Sequence, residues 1–185
     1  MLITFARADD GSTVATIRRG DGVVLELPGY DRKYRVPHDL AHAATERELE
    51  MPCGVFGSIA GGGVFSTMSV LAGRVRHDAD DRSTRLLEAN KDALGVAEVM
   101  AGVVHDAVEN GTTATAMAEA QRVWGLQNGE PFPWTEAHLT AAFDALTRLA
   151  AVYERDGLVY VDWPETLTSP VPERQERRWG RRGRL

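Results

Sequence analysis

Three short segments rich in β-branched and apolar residues, Leu2–Arg7, 13–19 and 23–27, follow one another with only Asp9-Asp10-Gly11 and Gly20-Asp21-Gly22 at their junctions. Parallel pairing needs a crossover of roughly a dozen residues or more, and these junctions are far too short. The chain must therefore open as an antiparallel β meander. Val14, Thr16 and Arg18 alternate with Ala15, Ile17 and Arg19, which gives the sheet one dry and one wet face. Pro28-Gly29 is expected to stop the third strand. A dry face needs a cover, and most of the remaining chain reads as helix, so the fold class is α+β.

The first helix is predicted from near Pro37 to about Met51, with Pro37 in the first turn, Asp39 at the positive end and Pro52 as the stop. Residues 51–73 then carry no charged side chain, but six of them are glycine, including Gly61-Gly62-Gly63. That run interrupts any continuous apolar helix and argues against a membrane span. It reads as a buried Gly-rich connection or a small helix pair, and it lacks the Lys-Ser/Thr of a phosphate loop. Helical periodicity returns in one stretch over 83–109, in a second over 113–124, and in a third that Thr135 can cap and Gly157 closes. Residues 158–163 read as a last strand, returning to the N-terminal sheet and halted by Pro164. Residues 1–170 are thus expected to form one domain, and 171–185 a flexible Arg-rich tail.

Charge narrows the class of partner. The chain of 185 residues has a formal charge of -6, and Arg174, Arg177, Arg178, Arg181, Arg182 and Arg184 are concentrated at its end. The body is correspondingly more acidic, which argues against DNA as a partner, while the tail suits an acidic one. A single cysteine, Cys53, excludes an internal disulfide framework and a multi-cysteine zinc site, and it reads as a small buried residue. The first ten residues show no basic segment followed by a long apolar run, so the expected location is the cytoplasm.

The chemistry concentrates in Tyr34-Arg35-Val36-Pro37-His38-Asp39-Leu40-Ala41-His42. Histidines four apart on a helix project from one side, and both imidazoles can reach one divalent ion. At about 100° per residue, His38, His42, Thr45 and Leu49 share a stripe roughly 60° wide, and Leu49 suggests that it faces inward. Glu46 lies about 12 Å along the axis from His38, too far to share an ion with both histidines comfortably. A ligand from another helix suits better, and His105 or Glu109 on the 83–109 stretch is expected to supply it. Zinc, iron and manganese all accept such mixed N/O ligation. Asp39 and Glu46 are candidates for orienting or moving protons. Tyr34 and Arg35, before the helix, are candidates for contacting an anionic substrate at its positive end.

The Tyr-x-Val-Pro-His-Asp-Leu-x-His pattern resembles a motif of uncharacterised bacterial proteins, over residues 34–65. Its HDxxH core is also similar to the zinc motif of a coenzyme Q biosynthesis family. That resemblance implies zinc-motif positions at His38, Asp39 and His42. The glutamate that the family carries twelve residues after the second histidine is here Gly54. Asp39 is one methylene shorter than the glutamate of an HExxH peptidase, which argues against peptidase chemistry.

Two functions are compatible with these residues. One is a metal-dependent hydrolase or lyase acting on an unspecified small molecule. The other is a non-catalytic interaction module using the Gly-rich apolar segment or the basic tail. The histidine pair also permits two metal-free uses, structural hydrogen bonding and acid/base chemistry.

Overall fold

The computed structural model describes residues 1–29, 34–127 and 130–174. It is an α+β fold: a five-stranded antiparallel sheet covered on one face by helices. Strands β1 (Leu2–Arg7), β2 (Thr13–Arg18) and β3 (Val24–Gly29) form the expected meander. β4 (Ser69–Ala72) adds beside β3, and β5 (Leu158–Asp162) returns to pair with β1, giving the order β4-β3-β2-β1-β5. The register Phe5↔Ala15 and Phe5↔Val159 aligns the inward residues, so Ile3, Phe5, Ala15, Ile17, Leu25, Leu27, Val159 and Val161 are all buried. β3 runs through Pro28 and Gly29 instead of stopping before them. Its ladder with β4 ends at Glu26, so Pro28 lies on a stretch of edge, where a missing N–H is tolerated.

The helices are α1 (His38–Glu48), α2 (Val55–Ala60), α3 (Ala79–Ala89), α4 (Lys91–Asn110), α5 (Thr113–Gln127) and α6 (Glu136–Asp156). α1 packs against both α4 and α6. Leu40 through Glu46 are consecutively buried, so α1 is surrounded and has no wet face for most of its length. Of its buried polar side chains, His42 and Glu46 pair with each other, while Thr45 Oγ1 has no hydrogen-bond partner among the described residues.

α1 ends at Glu48, short of the predicted Met51. Glu50 takes a left-handed conformation (φ 53°), with its N–H donating to the Arg47 carbonyl and the Met51 N–H donating to the Glu46 carbonyl at 2.8 Å. This pair of bonds closes the helix as a Schellman motif, with glutamate where glycine is usual.

The 83–109 stretch is two helices broken at Asn90. The Asn90 side chain is buried and donates to Ser58 Oγ (2.9 Å) and Ser169 Oγ (2.8 Å), tying the break to α2 and to the C-terminal segment. The Gly-rich segment is neither wholly buried nor a helix pair. It forms the short α2 and then the exposed edge strand β4. Gly57 lets α2 lie directly on the Pro52 carbonyl, where a side chain would collide. Thr135 caps α6 as expected, and His138 returns the bond to the Thr135 N–H at 3.1 Å. No helix among the described residues is long and apolar enough to cross a membrane. Of the Arg-rich tail, only residues 171–174 fall within the described residues.

Candidate metal centre

His42 and Glu46 lie four apart on α1, and their side chains meet: His42 Nδ1 and Glu46 Oε1 are 2.9 Å apart. Glu46 is fully buried. Oε1 also accepts the Val55 N–H and Oε2 the Phe56 N–H, each at 2.9 Å, so one carboxylate satisfies the amides that have no intrahelical acceptor at the start of α2 as well as the imidazole. The carboxylate lies against Gly54, where any Cβ would run into it. Position 54 is therefore closed to the glutamate of the coenzyme Q family pattern while Glu46 stays in place.

The other ring nitrogen, His42 Nε2, faces Glu98 Oε2 of α4 at 3.1 Å. His38 Nε2 is 3.8 Å from Glu98 Oε1, and the His38 and His42 rings sit 4.9 Å apart, centroid to centroid. One ligand atom from each of His38, His42 and Glu98 lies within 4.8 Å of the others, near enough to bind a metal ion. Bonds of about 2.1 Å in tetrahedral geometry place ligand atoms roughly 3.4 Å apart, so closure on an ion requires a shift of about 1 Å. Glu98 can make that shift because its side chain is 65% exposed, whereas His42 is held at 4%.

Electrostatics follow from the same contacts. Burial pushes His42 toward the neutral form, but the hydrogen bonds it donates to Glu46 and Glu98 and their charges outweigh it, and the imidazole is pushed up to about 9. The His42 hydrogen bond in turn holds Glu98 below its ordinary value against partial burial. Burial raises the Asp39 carboxyl above its ordinary value, the Glu98 charge adds to this, and the His42 charge opposes it. Asp39 and His38 line a cleft of about 500 Å³ together with Tyr34, Thr67 and Glu98, so the three-residue group opens onto space for a small ligand.

The expected third ligands lie elsewhere. His105 is buried beside the group, with its ring 5.5 Å from that of His38, but its Nε2 is 2.9 Å from the Val36 carbonyl oxygen and donates to it. Glu109 is further away still, accepting the Arg35 and Val36 N–H groups at 3.0 Å and so holding the segment that leads into α1. Contacts of His38 with His105 and of His42 with Glu98 show that α1 and α4 run antiparallel. Moving forward along α1 thus means moving backward along α4, and Glu98 is the carboxylate that meets His42. Glu98 is seven residues, two turns, before His105 and on nearly the same stripe, so the periodicity that singles out His105 also contains it.

Glu46 serves as the partner of His42 and stands outside the three-residue group. Arg35 donates to Glu154 Oε1 (3.0 Å) and to the Val108 carbonyl (3.2 Å), while Tyr34 is 46% exposed at the cleft wall. Cys53 is half-buried, 3.7 Å from Ser169 Oγ. No protein-family model, curated protein or solved structure matches the chain.

Proposed function

We propose that the chain is a metal-dependent hydrolase or lyase of small molecules, with His38, His42 and Glu98 holding a divalent ion at the floor of the cleft. The observation that carries this reading is the position of Glu46. A buried carboxylate on Nδ1 fixes the orientation of His42 and directs Nε2 toward the other two ligands, the support that metal-bound imidazoles commonly have. In the metal-free chain Nε2 donates its proton in a hydrogen bond to Glu98; a bound ion would take the place of that proton. Two imidazoles and one carboxylate suit zinc, iron(II) and manganese, and three protein ligands leave a position for water or a substrate oxygen. Such an ion activates water or polarises a carbonyl. Asp39, next to His38 and with its carboxyl raised by burial, is the group placed to move a proton at the cleft.

The test is elemental analysis of protein purified without an affinity tag, for wild type and for His38→Ala and Glu98→Ala. One equivalent of zinc, iron or manganese in wild type and a large loss in both variants supports the reading. Wild type with less than about a tenth of an equivalent after incubation with each metal rejects it. One observation favours a second reading, a non-catalytic module. β4, from the Gly-rich segment, is a sheet edge with Val70 46% and Leu71 53% exposed, a surface on which another strand can pair. Replacing Val70 with Lys should then abolish partner capture while leaving metal content unchanged.

A further inference from the structure

A second hollow, of about 360 Å³, adjoins the cleft and shares Thr13, Tyr34 and Pro37 with it. Its remaining wall includes Arg7, Arg35, Tyr153 and Glu154. Two guanidinium groups against one carboxylate make this hollow locally positive in a chain whose formal charge is -6.

The two arginines are differently placed. Arg35 is oriented by Glu154 and by the Val108 carbonyl. Arg7 lies over the Tyr153 ring, 5.1 Å from its centroid, and no carboxylate pairs with it among the described residues. The ring is a fixed platform, because the Tyr153 hydroxyl shares a buried 2.6 Å hydrogen bond with Thr13 Oγ1. Pro37, on the common wall, precedes the first turn of α1, and the positive end of that helix adds to the potential. A guanidinium fork binds two oxygens of a carboxylate or phosphate at once, a match that a spherical anion such as chloride does not offer.

We infer that Arg7 and Arg35 form a subsite for the carboxylate or phosphate group of a small molecule. The same molecule extends past Tyr34 to the His38–His42–Glu98 group. The extension rests on the metal reading above; the oxyanion subsite itself does not.

Metal-free protein, dialysed free of chelator, separates the two. It is titrated with inorganic phosphate and with acetate at ionic strength held constant with sodium chloride, and arginine Nε–H resonances are followed by NMR. Saturable binding of one anion is expected, and the tighter of the two identifies the group recognised. Arg7→Gln should weaken it about tenfold or more, Arg7→Lys should retain part of it, and Glu98→Gln should leave it unchanged. The absence of saturable binding by either anion overturns the subsite, as does equal binding by wild type and Arg7→Gln. A marked gain of binding in Glu98→Gln also overturns it, because an anion that profits from losing that carboxylate sits on the histidines of the metal group. Intact anion binding in a chain that takes up no metal sinks the metal reading and leaves the subsite standing.

Discussion

Replacing Glu46 with Ala is the sharpest perturbation of the network that orients His42. It removes the acceptor of three hydrogen bonds, from His42 Nδ1 and from the Val55 and Phe56 amides, all at 2.9 Å and all inside the protein. Breaking a buried charged pair by deleting one partner costs about 3–5 kcal/mol, because the groups left behind keep their desolvation cost. A domain of this kind has about 5–15 kcal/mol in all, so the variant should unfold at markedly lower urea concentration.

The pH dependence supplies a second readout. In the metal-free protein the imidazole is raised from its ordinary 6.5 to about 9. A raised pKa on a basic group contributes stability that is fully present below pH 6.5 and is lost as pH climbs through 9, for a total of about 3 kcal/mol. In Glu46→Ala most of that slope between pH 6.5 and 9 should vanish. The assay is urea denaturation followed by circular dichroism at closely spaced pH values. A loss below about 1 kcal/mol, or an unchanged slope across that pH range, would refute the coupling of Glu46 to His42.

Three more substitutions or titrations probe the same geometry. Glu98→Gln should lower metal affinity about 10-fold or more while changing stability by about 1 kcal/mol or less, since the Glu98 side chain is 65% exposed and Glu46 still holds His42; calorimetric titration with zinc and thermal melts measure the two. Metal competes with the proton on His42, so the apparent dissociation constant should fall about tenfold per pH unit between about pH 7 and 8, where the metal-free ring is charged. A flat profile in a competition assay with a chelating dye would contradict that. Glu50→Gly should stabilise the fold by about 0.5–1 kcal/mol, read as a raised Tm, because glycine adopts the left-handed backbone at the end of α1 without a Cβ penalty.

The fold is largely legible in the sequence where the signals are local. The meander, the capped α6 and the returning β5 all come from alternation, turn residues and caps, which act over a few positions. The break at Asn90 is not legible, because its cause is a carboxamide satisfied by Ser58 and Ser169, residues 32 and 79 positions away. Pro52 marks a stop for α1, but the left-handed turn at Glu50 closes the helix first; nothing about a glutamate announces that conformation. At the site, the i, i+4 spacing finds His38 and His42, but the third partner depends on the relative direction of two helices. Periodicity fixes which face of α4 meets α1 and is blind to direction, so both His105 and Glu98 lie on a plausible stripe. Glu46 shows a similar limit: its place beside His42 is clear from spacing, and its capping of α2 depends on Gly54 leaving room.

Whether His38, His42 and Glu98 close around one ion is tested most directly by crystals soaked in zinc. An anomalous difference map should show one strong peak about 2.0–2.2 Å from an imidazole nitrogen of each histidine and from a Glu98 carboxylate oxygen, with Glu46 still on His42 Nδ1. A map with no peak between those side chains, or with the only peaks on surface carboxylates, would contradict it.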